Sequence, residues 1–513
     1  MTIHASPYPP LPLSGLSITE RLFEGLKHRP DEAVLIDGPT GRSLTAGALI
    51  DGVRRLAGGL QAMGIGRGAM IAIMAPNCPE YATAFHGALY AGATVTTINP
   101  SYTASEVAHQ LRDSGAVLLV TVPAFLETAR AAAGGTAVRG IAVIGEAEGA
   151  VPLADWMGAP LPAQVPVDVV ADVAVLPYSS GTTGLPKGVM LTHRNLVANV
   201  DQCAAVLGVR VGDWTVGFLP FFHIYGQTVL MNMHLAVGAG VVTLPRFDLG
   251  LFLRLCQDHR TRQIFCAPPV VVALAKHPMV DEFDLSAVER LFSGAAPLGG
   301  DVADAVGRRL GAVAVQGYGM TEMAPVSHAV PEGAPRSGSV GLTVPNAECR
   351  IVDPATGQDA PEGELWVRGP MVMKGYHGNP AATAATLTPD GWLKTGDLGG
   401  FDADGYLYIR DRVKELIKVS GFQVAPAEVE AALLSHPGVA DCAVVGRPDE
   451  AAGEVPVAFV VRVPGAADDE AAILAHLAGR LASFKQPRAV RFVDAIPKSA
   501  SGKILRRLLR DQG

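Results

Sequence analysis

The stretch that most restricts how this chain can fold is residues 178–188, which read Tyr-Ser-Ser-Gly-Thr-Thr-Gly-Leu-Pro-Lys-Gly. The apolar residues 169–176 before it predict a buried strand, and Thr192 after it predicts the N-cap of a helix. A strand, a loop of glycines and hydroxyl side chains with one lysine, and a helix form a typical cradle for polyphosphate. Glycines let backbone N–H groups approach, hydroxyls donate hydrogen bonds, and lysine neutralises charge.

This loop differs from the common phosphate loop of nucleoside triphosphatases. Gly181 and Lys187 have the spacing of that motif, but Pro186 stands where its second glycine belongs. Gly188 replaces the serine or threonine that would hold magnesium. A surface turn rich in glycine, serine and threonine is the alternative interpretation of this composition. The rest of the chain must therefore decide whether the loop binds phosphate.

Further motifs follow the loop in order along the chain. Residues 317–322 read Gly-Tyr-Gly-Met-Thr-Glu, and residues 394–397 read Lys-Thr-Gly-Asp. Residues 405–418 read Gly-Tyr-Leu-Tyr-Ile-Arg-Asp-Arg-Val-Lys-Glu-Leu-Ile-Lys, and residues 497–503 read Pro-Lys-Ser-Ala-Ser-Gly-Lys. Together with the loop, this set resembles the acyl-adenylate-forming superfamily, which includes acyl-CoA synthetases, peptide-synthetase adenylation domains and firefly luciferase. Within that superfamily the chain is most similar to the 4-coumarate:CoA ligase group, and the resemblance covers nearly the whole chain.

Length and charge limit the class of protein. A chain of 513 residues is too long for one core and predicts two or more domains. The formal net charge of −8 argues against a nucleic-acid partner, because such proteins carry a basic face. The N-terminal residues lack the pattern of a secretory signal, and no long apolar run predicts a transmembrane segment. We therefore expect a cytoplasmic monomer or homodimer that acts on small molecules.

The six cysteines carry no predicted chemistry. They are too sparse for a disulfide framework, and no close pair has the spacing of metal ligands. Cysteine is also a small hydrophobic side chain that is commonly buried. We therefore expect these six residues to pack in the core.

Alternating apolar runs and helical periodicity predict an α/β fold. Residues 70–74 and 117–121 predict parallel strands, with a helix over residues 81–91 between them. Shorter β-rich patterns over residues 346–409 predict a small β-barrel-like subdomain within a large N-terminal domain of parallel-rich sheets and helices. After residue 414 the pattern starts again as a small, mobile α+β domain. The predicted boundaries are residues 1–411 for the first domain, 412–414 for a hinge and 415–513 for the second domain.

The resemblance implies a reaction in which a carboxylate attacks the α-phosphate of ATP and coenzyme A then takes the acyl group. Both partners of the first step are anions, so the site must supply positive charge and Mg²⁺. Glu322 would bind the magnesium, Asp397 would accept hydrogen bonds from ribose hydroxyls, and Ser420 stands where plant enzymes carry a lysine. The residues implied for ATP and coenzyme A are Ser179, Ser180, Gly181, Thr182, Thr183, Lys187, Gln316, Gly317, Tyr318, Thr321, Asp397, Arg412, Lys503, Arg246, Ser420 and Gly421.

The family makes the two steps share one pocket by rotating its C-terminal domain about a hinge, which corresponds to Lys414. In the first step Lys503 would face the site, and in the second step Gly421 and its neighbours would do so. The resemblance thus implies that different residues of one domain serve the two reactions. The residues implied for catalysis are Lys503, Lys418, His223, Thr183 and Glu322.

The predicted acid pocket lacks a carboxylate, which restricts the class of acid that can bind. Residues 220–226 read Pro-Phe-Phe-His-Ile-Tyr-Gly and hold no carboxylate, so the ammonium group of an amino acid would be buried unpaired at a large cost. Apolar, partly flat residues suit an arylpropenoic acid such as cinnamate or 4-coumarate, or a medium-chain fatty acid. The residues implied for the substrate are Tyr225, Val229, Phe292, Ala295, Gly317, Gly319, Pro325, Val326, Ser327, Lys414, Lys418 and Gln423.

Each of these assignments has a simpler alternative. Glu322 is also the kind of carboxylate that starts a helix, and Asp397 is also a common turn residue. The charged residues around the hinge match a solvated face, and His223 matches a wall residue without a role in proton transfer. Two alternative functions use the same motifs: loading of a carrier-protein phosphopantetheine, and nucleotide binding without turnover.

Overall fold

The computed structural model describes residues 2–179, 186–420, 422–450, 452–478, 480–499 and 502–510. Strands of the first part of the chain form a mostly parallel sheet, as predicted. Met70–Met74 pairs in parallel with Thr94–Thr97 on one side and with Leu118–Thr121 on the other. The order across this sheet is Tyr178–Ser179, Lys187–Thr192, Val173–Val175, Thr94–Thr97, Met70–Met74, Leu118–Thr121, Gly140–Val143 and Val151–Pro152, and Gly375–Tyr376 pairs with Lys187–Thr192.

Other sheets flank it and continue the α/β pattern. One sheet has the order Trp214–Gly217, Gly240–Thr243, Ala33–Asp37 and Ser43–Thr45. A second has the order Gln263–Cys266, Arg290–Ser293, Val313–Gly319, Val326–Ala329 and Leu342–Thr343, and its first members are parallel. An antiparallel sheet occupies the β-rich region predicted as a barrel-like subdomain, with the order His4–Ala5, Glu348–Val352, Gly363–Arg368, Leu393–Phe401 and Leu407–Arg412.

Helices cover these sheets, and several begin where the sequence places a capping residue. Thr103 and Thr192 each accept a hydrogen bond from the third residue of their helix, as a side-chain cap does. The α-helices are Ile18–Leu26, Ala46–Ala62, Pro79–Tyr90, Ala104–Ser114, Leu126–Ala133, His193–Leu207, His234–Val237, Leu249–Asp258, Pro268–Lys276, Gly300–Leu310, Pro380–Thr386, Pro426–Leu434, Glu470–Ala478 and Arg506–Arg510. Gly226–Met233 is a π-helix, and Pro123–Phe125, Leu153–Trp156, Pro278–Glu282, Thr321–Met323 and Ser483–Lys485 are 3₁₀ turns.

The strand predicted over residues 169–176 is shorter than expected. Only Val173–Val175 is extended, because the Asp168 carboxylate accepts hydrogen bonds from the N–H groups of Val170 and Ala171 and holds a turn there. The predicted order of strand, loop and helix is also wrong in one respect. The strand Lys187–Thr192 lies between the loop and the helix and runs antiparallel to Tyr178–Ser179. The loop therefore joins two antiparallel strands.

The C-terminal part of the chain has its own sheet and its own core. Its strands, in chain order, are Ile417–Val419, Phe422–Val424, Val439–Asp449, Gly453–Arg462 and Ala489–Phe492. Residues 417–490 of this part contribute a separate cluster of buried apolar side chains. A domain with its own core can move as a unit if the contacts across its boundary are few.

All six cysteines, each within the described part of the chain, are free thiols, and all except the half-buried Cys78 are buried. This agrees with their predicted role as packing residues. Across the residues that the structure describes, no helix combines the length and the apolar composition needed to cross a membrane.

Candidate active site

A cavity of about 550 Å³ lies where several strands end and the C-terminal segment approaches them. Its lining includes residues that follow Thr94–Thr97, Arg290–Ser293 and Val313–Gly319, and the carboxyl ends of strands are where α/β proteins bind ligands. Its volume is typical of small-molecule sites. The predicted site residues that line it are Ser179, Lys187, His223, Tyr225, Phe292, Ala295, Gly317, Tyr318, Gly319, Thr321, Glu322, Pro325, Val326, Arg412, Lys414 and Lys503.

Glu322 is fixed by two hydroxyl groups on one side of the cavity. It lies in the turn that follows strand Val313–Gly319 and is 5 % exposed. The Ser179 hydroxyl donates to Glu322 Oε1 at 3.0 Å, and the Tyr376 hydroxyl donates to the same oxygen at 2.9 Å. The Lys187 ammonium lies 5.1 Å from the centre of the Tyr376 ring. Burial and the Glu322 carboxylate raise the pKa of Tyr376, so its hydroxyl remains a donor.

The chemistry of this carboxylate fits magnesium. Among the described residues, both hydrogen bonds to the Glu322 side chain end on Oε1, so the Oε2 lone pairs can serve a cation. Mg²⁺ prefers oxygen ligands and keeps water or substrate phosphate in most of its coordination positions. Within the described ranges no cluster of three or more His, Cys, Asp and Glu forms a metal site made by protein alone. A single buried carboxylate therefore suits a magnesium ion that arrives with a phosphate.

A second polar cluster centres on the predicted residue Asp397, which is 4 % exposed and does not itself line the cavity, although its neighbour Gly396 and its partner Arg412 do. Asp397 lies opposite Arg412 on the neighbouring strand, and the Arg412 Nε atom lies 3.0 Å from Asp397 Oδ1. The Tyr318 hydroxyl donates to Asp397 Oδ2, and the Asp397 N–H donates to Thr395 Oγ1 at 3.1 Å. Each carboxylate oxygen can accept further hydrogen bonds, so this fixed carboxylate can hold a diol.

Lys503 enters the cavity from the C-terminal segment. A tight turn carries it, because the Ser499 N–H donates to the Lys503 carbonyl at 2.8 Å and the Lys503 N–H donates to Ser499 Oγ at 3.2 Å. Burial, together with the nearby Arg412 guanidinium, lowers the pKa of Lys503 to about 8. The ammonium form therefore still predominates at neutral pH, where it offers a charge to an anionic ligand.

His223 also lines the cavity, and its side chain is neutral. Its Nδ1 atom accepts a hydrogen bond from the Tyr225 N–H at 3.3 Å, which leaves the proton on Nε2. Burial, and to a smaller extent the Lys503 ammonium, lower the pKa of His223 to about 4. This side chain can donate from Nε2 at neutral pH, but it carries no charge there.

One wall of the cavity, formed by Tyr225, Phe292 and Gly317, is apolar and flat. The Tyr225 hydroxyl donates to the Phe292 carbonyl at 3.3 Å, so its polar atom is used within the wall. A Cβ atom at Gly317 would lie 2.3 Å from Phe292 Cζ, so only glycine lets this ring pack against the backbone. Pro325 and Val326 extend the surface. The shape of the wall matches a planar apolar group better than a charged one.

Several predicted residues lie away from the cavity. Val229 is buried in the π-helix Gly226–Met233, and Ser327 is buried with its hydroxyl bonded to His328 Nδ1 at 2.9 Å. Placing these two side chains in the cavity lining is wrong in this structure, because the core and a local hydrogen bond hold them. Gln316 also misses the lining, since its Oε1 accepts a hydrogen bond from the Leu298 N–H at 2.7 Å.

Other predicted residues are exposed instead. Lys418, Ser420 and Gln423 belong to the hairpin around Ile417–Val419 and are exposed to solvent. Arg246 is also exposed, in the loop after strand Gly240–Thr243. None of these four described residues lines the cavity. The predicted residues Ser180, Gly181, Thr182, Thr183 and Gly421 lie outside the described residues.

The structure adds residues that the sequence did not single out. Tyr376 bonds to Glu322, although residues 374–378 belong to no recognised motif. Lys394 is the first residue of the Lys-Thr-Gly-Asp motif but was given no role; it also lines the cavity, and its ammonium lies 5.1 Å from the centre of the Trp366 ring. Lining residues absent from the predicted set also include Thr97, Asn99, Tyr102, Gln110, Phe222, Met320, Glu364 and Ser499.

Comparisons with known proteins agree with this geometry. The family described as AMP-binding enzyme matches residues 22–377, and the family described as AMP-binding enzyme C-terminal domain matches residues 428–503. The 4-coumarate–CoA ligase 5 of Oryza sativa subsp. japonica is 44 % identical, over 96 % of this chain and 94 % of its own length. The 4-coumarate–CoA ligase 1 of Petroselinum crispum is 42 % identical, over 95 % of this chain and 92 % of its own length.

Solved structures give the same result. The anthranilate CoA ligase AuaEII in complex with anthranoyl-AMP superposes with a TM-score of 0.92 at 28 % identity and covers 98 % of both chains. The ATP-bound MatB from Rhodopseudomonas palustris superposes with a TM-score of 0.88 at 30 % identity, over 97 % of this chain and 98 % of its own. Sequence and fold thus point to the same group of proteins.

Proposed function

Because the chain belongs to the AMP-binding enzyme family, we propose that it activates an arylpropenoic acid such as cinnamate or 4-coumarate. The chain is an ATP-dependent acid–CoA ligase of the 4-coumarate–CoA ligase-like group. It forms an acyl adenylate with release of pyrophosphate and then an acyl-CoA with release of AMP. ATP and coenzyme A are its co-substrates, and Mg²⁺ is its metal.

The observation that carries the choice of acid is the flat apolar wall of Tyr225, Phe292 and Gly317. An aromatic ring buries a large area against such a surface and needs no charged partner there. The wall residues that line the cavity include no carboxylate, so an amino acid would bury its ammonium group unpaired. An arylpropenoic acid presents its carboxylate at one end of a rigid planar group, which suits a site with Lys503 on the other side.

The polar clusters suggest how the nucleotide is held. We infer that Asp397 accepts hydrogen bonds from the ribose hydroxyls, and that Arg412 fixes Asp397 and neutralises nearby phosphate charge. Glu322 holds Mg²⁺, which supplies positive charge to the phosphate oxygens when it is bound. Lys187 lies beside this cluster and neutralises part of the charge of the departing pyrophosphate. In our proposal, the glycine and hydroxyl residues between Ser179 and Pro186, which lie outside the described residues, also bind the phosphates.

Lys503 brings the two anions of the first step together. Its ammonium meets the carboxylate of the acid and the α-phosphate on the side that faces the C-terminal segment, where charge repulsion is largest. The neutral His223 lies near it and can donate one hydrogen bond from Nε2 without adding charge. The side chains therefore position and neutralise, and we assign them no covalent role.

Thioester formation needs a different arrangement of the C-terminal domain. Lys503 and its turn cover the cavity in the present orientation, whereas Lys418, Ser420 and Gln423 are exposed. We propose that residues 415–513 move about a hinge at 412–414 relative to residues 1–411, so that the exposed hairpin, with Gly421, replaces Lys503. In that orientation Arg246 would meet the nucleotide end of coenzyme A. We place the protein in the cytoplasm, where ATP and coenzyme A are available.

A panel of acids tests the proposed substrate. Pyrophosphate exchange and coenzyme-A-dependent release of AMP should both be largest with arylpropenoic acids, and smaller with short- and medium-chain fatty acids. Cinnamate and 4-coumarate should differ little, because the Tyr225 hydroxyl is already bonded to the Phe292 carbonyl and the wall selects by shape.

Four outcomes of the panel would contradict the proposal. A preference above about ten-thousandfold for the hydroxylated ring requires a dedicated buried partner for that hydroxyl. Greater activity on fatty acids would identify the chain as a fatty acyl-CoA synthetase instead. Exchange without coenzyme-A-dependent AMP release would identify an enzyme that loads a carrier-protein phosphopantetheine, and absence of exchange with every acid would leave only nucleotide binding.

A further inference from the structure

A lysine of the N-terminal domain binds the end of a helix in the C-terminal domain. Lys276 is the last residue of helix Pro268–Lys276. Its ammonium donates to the carbonyl of Val439 at 2.8 Å and to the carbonyl of Leu434 at 3.3 Å. Leu434 is the last residue of helix Pro426–Leu434, so the contact joins the ends of two helices from different domains.

The helix that receives this lysine lacks a cation of its own. Pro426–Leu434 has no basic residue in its last turn. The last carbonyl groups of a helix have no partner within it and carry partial negative charge, which a nearby ammonium stabilises. Lys276 provides this ammonium only while the two domains are docked as they are here.

Packing around this contact connects it to the active site. The Leu434 side chain packs on the apolar cluster between helices Leu249–Asp258, Pro268–Lys276 and Gly300–Leu310. At the other end of Pro268–Lys276, a Cβ atom placed on Gly502 would lie 3.2 Å from Ala267 Cβ. Gly502 directly precedes Lys503. A single rigid helix therefore touches the C-terminal domain at the helix end near Leu434 and at the turn that carries Lys503.

Among the described residues, the other polar contacts across this interface are either weak or close to the hinge. Arg480 and Asp301 lie 3.5 Å apart with both side chains about half exposed or more, and such pairs contribute little. The Asp411 carboxylate accepts a hydrogen bond from the Ala427 N–H at 3.0 Å, close to the hinge itself. Within the described residues, Lys276 is thus the cation that makes two hydrogen bonds across the interface far from the hinge.

We propose that Lys276 is a positioning residue that stabilises the orientation in which Lys503 enters the cavity. It touches no substrate and acts through Lys503. This inference rests on the ligase activity and on the domain movement proposed above. It assigns Lys276 to the adenylation step alone, because the contact must break before coenzyme A reaches the acyl adenylate.

The two half-reactions of a Lys276→Met variant test this proposal. Methionine keeps an unbranched apolar stem and removes the ammonium. Acyl-adenylate formation should fall by about tenfold, as expected for loss of one charge-assisted hydrogen-bond pair at a helix end. Thioester formation from supplied acyl adenylate and coenzyme A should stay within about twofold of the parent, because that step uses the undocked orientation. Lys276→Arg should restore most of the first half-reaction.

A matched control separates docking from general stability. Lys485 bonds to Glu428 at 2.7 Å, in the first turn of the same helix but within one domain. Lys485→Met should therefore leave the ratio of the two half-reactions unchanged. Amide hydrogen exchange should quicken in residues 267–276 and 426–439 of Lys276→Met but not of Lys485→Met. The thermal midpoints of both variants should stay close to the parent value.

Three results would overturn the inference. Equal loss of both half-reactions in Lys276→Met, or unchanged adenylation with unchanged exchange, would show that the contact does not select the orientation. If Lys276→Met unfolds, Lys276→Gln provides the same comparison with a polar side chain. An unchanged ratio of the two half-reactions in Lys276→Gln would also overturn the inference. If the acid is wrongly assigned, the parent enzyme will show low activity on arylpropenoic acids. If the role of Lys276 is wrong, only the rates of the two half-reactions in the variant, relative to the parent, will differ from the expected result.

Discussion

Lys503→Ala is expected to lower acyl-adenylate formation by about two to three orders of magnitude, the usual scale for loss of one preorganised charge or donor. The ammonium lies in the cavity, where the carboxylate of the acid must approach the α-phosphate. The same variant should form thioester from supplied acyl adenylate and coenzyme A at near the parent rate, because no pair of anions has to be joined in that step. Separate assays of the two half-reactions measure both expectations.

Lys498→Ala is the control for this variant, because Lys498 lies in the same segment but its ammonium binds Asp441 within the C-terminal domain at 2.6 Å. It should lower neither half-reaction by more than a few-fold, as expected for a partly exposed ion pair. In the parent enzyme, kcat/KM for acyl-adenylate formation should also decline as pH rises above about 8, because the Lys503 ammonium loses its proton there. Equal loss of both half-reactions in Lys503→Ala would mean that this lysine serves folding or domain closure in general.

Glu322→Gln should lower acyl-adenylate formation by roughly a hundredfold or more, because it removes the carboxylate assigned to Mg²⁺. The amide keeps an oxygen that can accept from Ser179 and Tyr376, so the local packing should remain. The concentration of Mg²⁺ that gives half-maximal rate should rise, which a titration of the metal at saturating ATP measures.

Tyr376→Phe is the matched comparison, since it removes one of the hydrogen bonds to Glu322 and leaves the charge. Its rate should fall by less than about tenfold, as expected for loss of one hydrogen bond to a charged group, and its requirement for Mg²⁺ should change little. If Glu322→Gln instead kept the parent requirement for Mg²⁺, the carboxylate would have a structural role at the start of its turn.

The sequence predicted elements well where one physical signal dominated. The strand Met70–Met74 has the predicted bounds, and the helix predicted over residues 81–91 runs from Pro79 to Tyr90. The strand expected over residues 169–176 failed because the Asp168 carboxylate captures backbone N–H groups and forms a turn, a local competition that hydrophobicity does not report. Apolar residues such as Val170 are consequently exposed.

The site was predictable where it is built from contiguous motifs. Glu322 and Arg412 line the cavity, and Asp397 bonds to Arg412. Tyr376 was not predictable, because strand pairing between Gly375–Tyr376 and Lys187–Thr192 brings it there across a long separation in sequence. The resemblance implied that Val229 lines the pocket, whereas in the π-helix Gly226–Met233 its side chain is buried in the core. Sequence position therefore predicts backbone neighbours better than side-chain direction.

The most direct measurement of the central claim is a crystal structure with a non-hydrolysable cinnamoyl-adenylate analogue. The account predicts ribose oxygens within hydrogen-bond distance of Asp397, the aryl ring against Tyr225, Phe292 and Gly317, and the Lys503 ammonium beside the acyl–phosphate link. An aryl group bound away from that wall, or a ribose that does not meet Asp397, would contradict it.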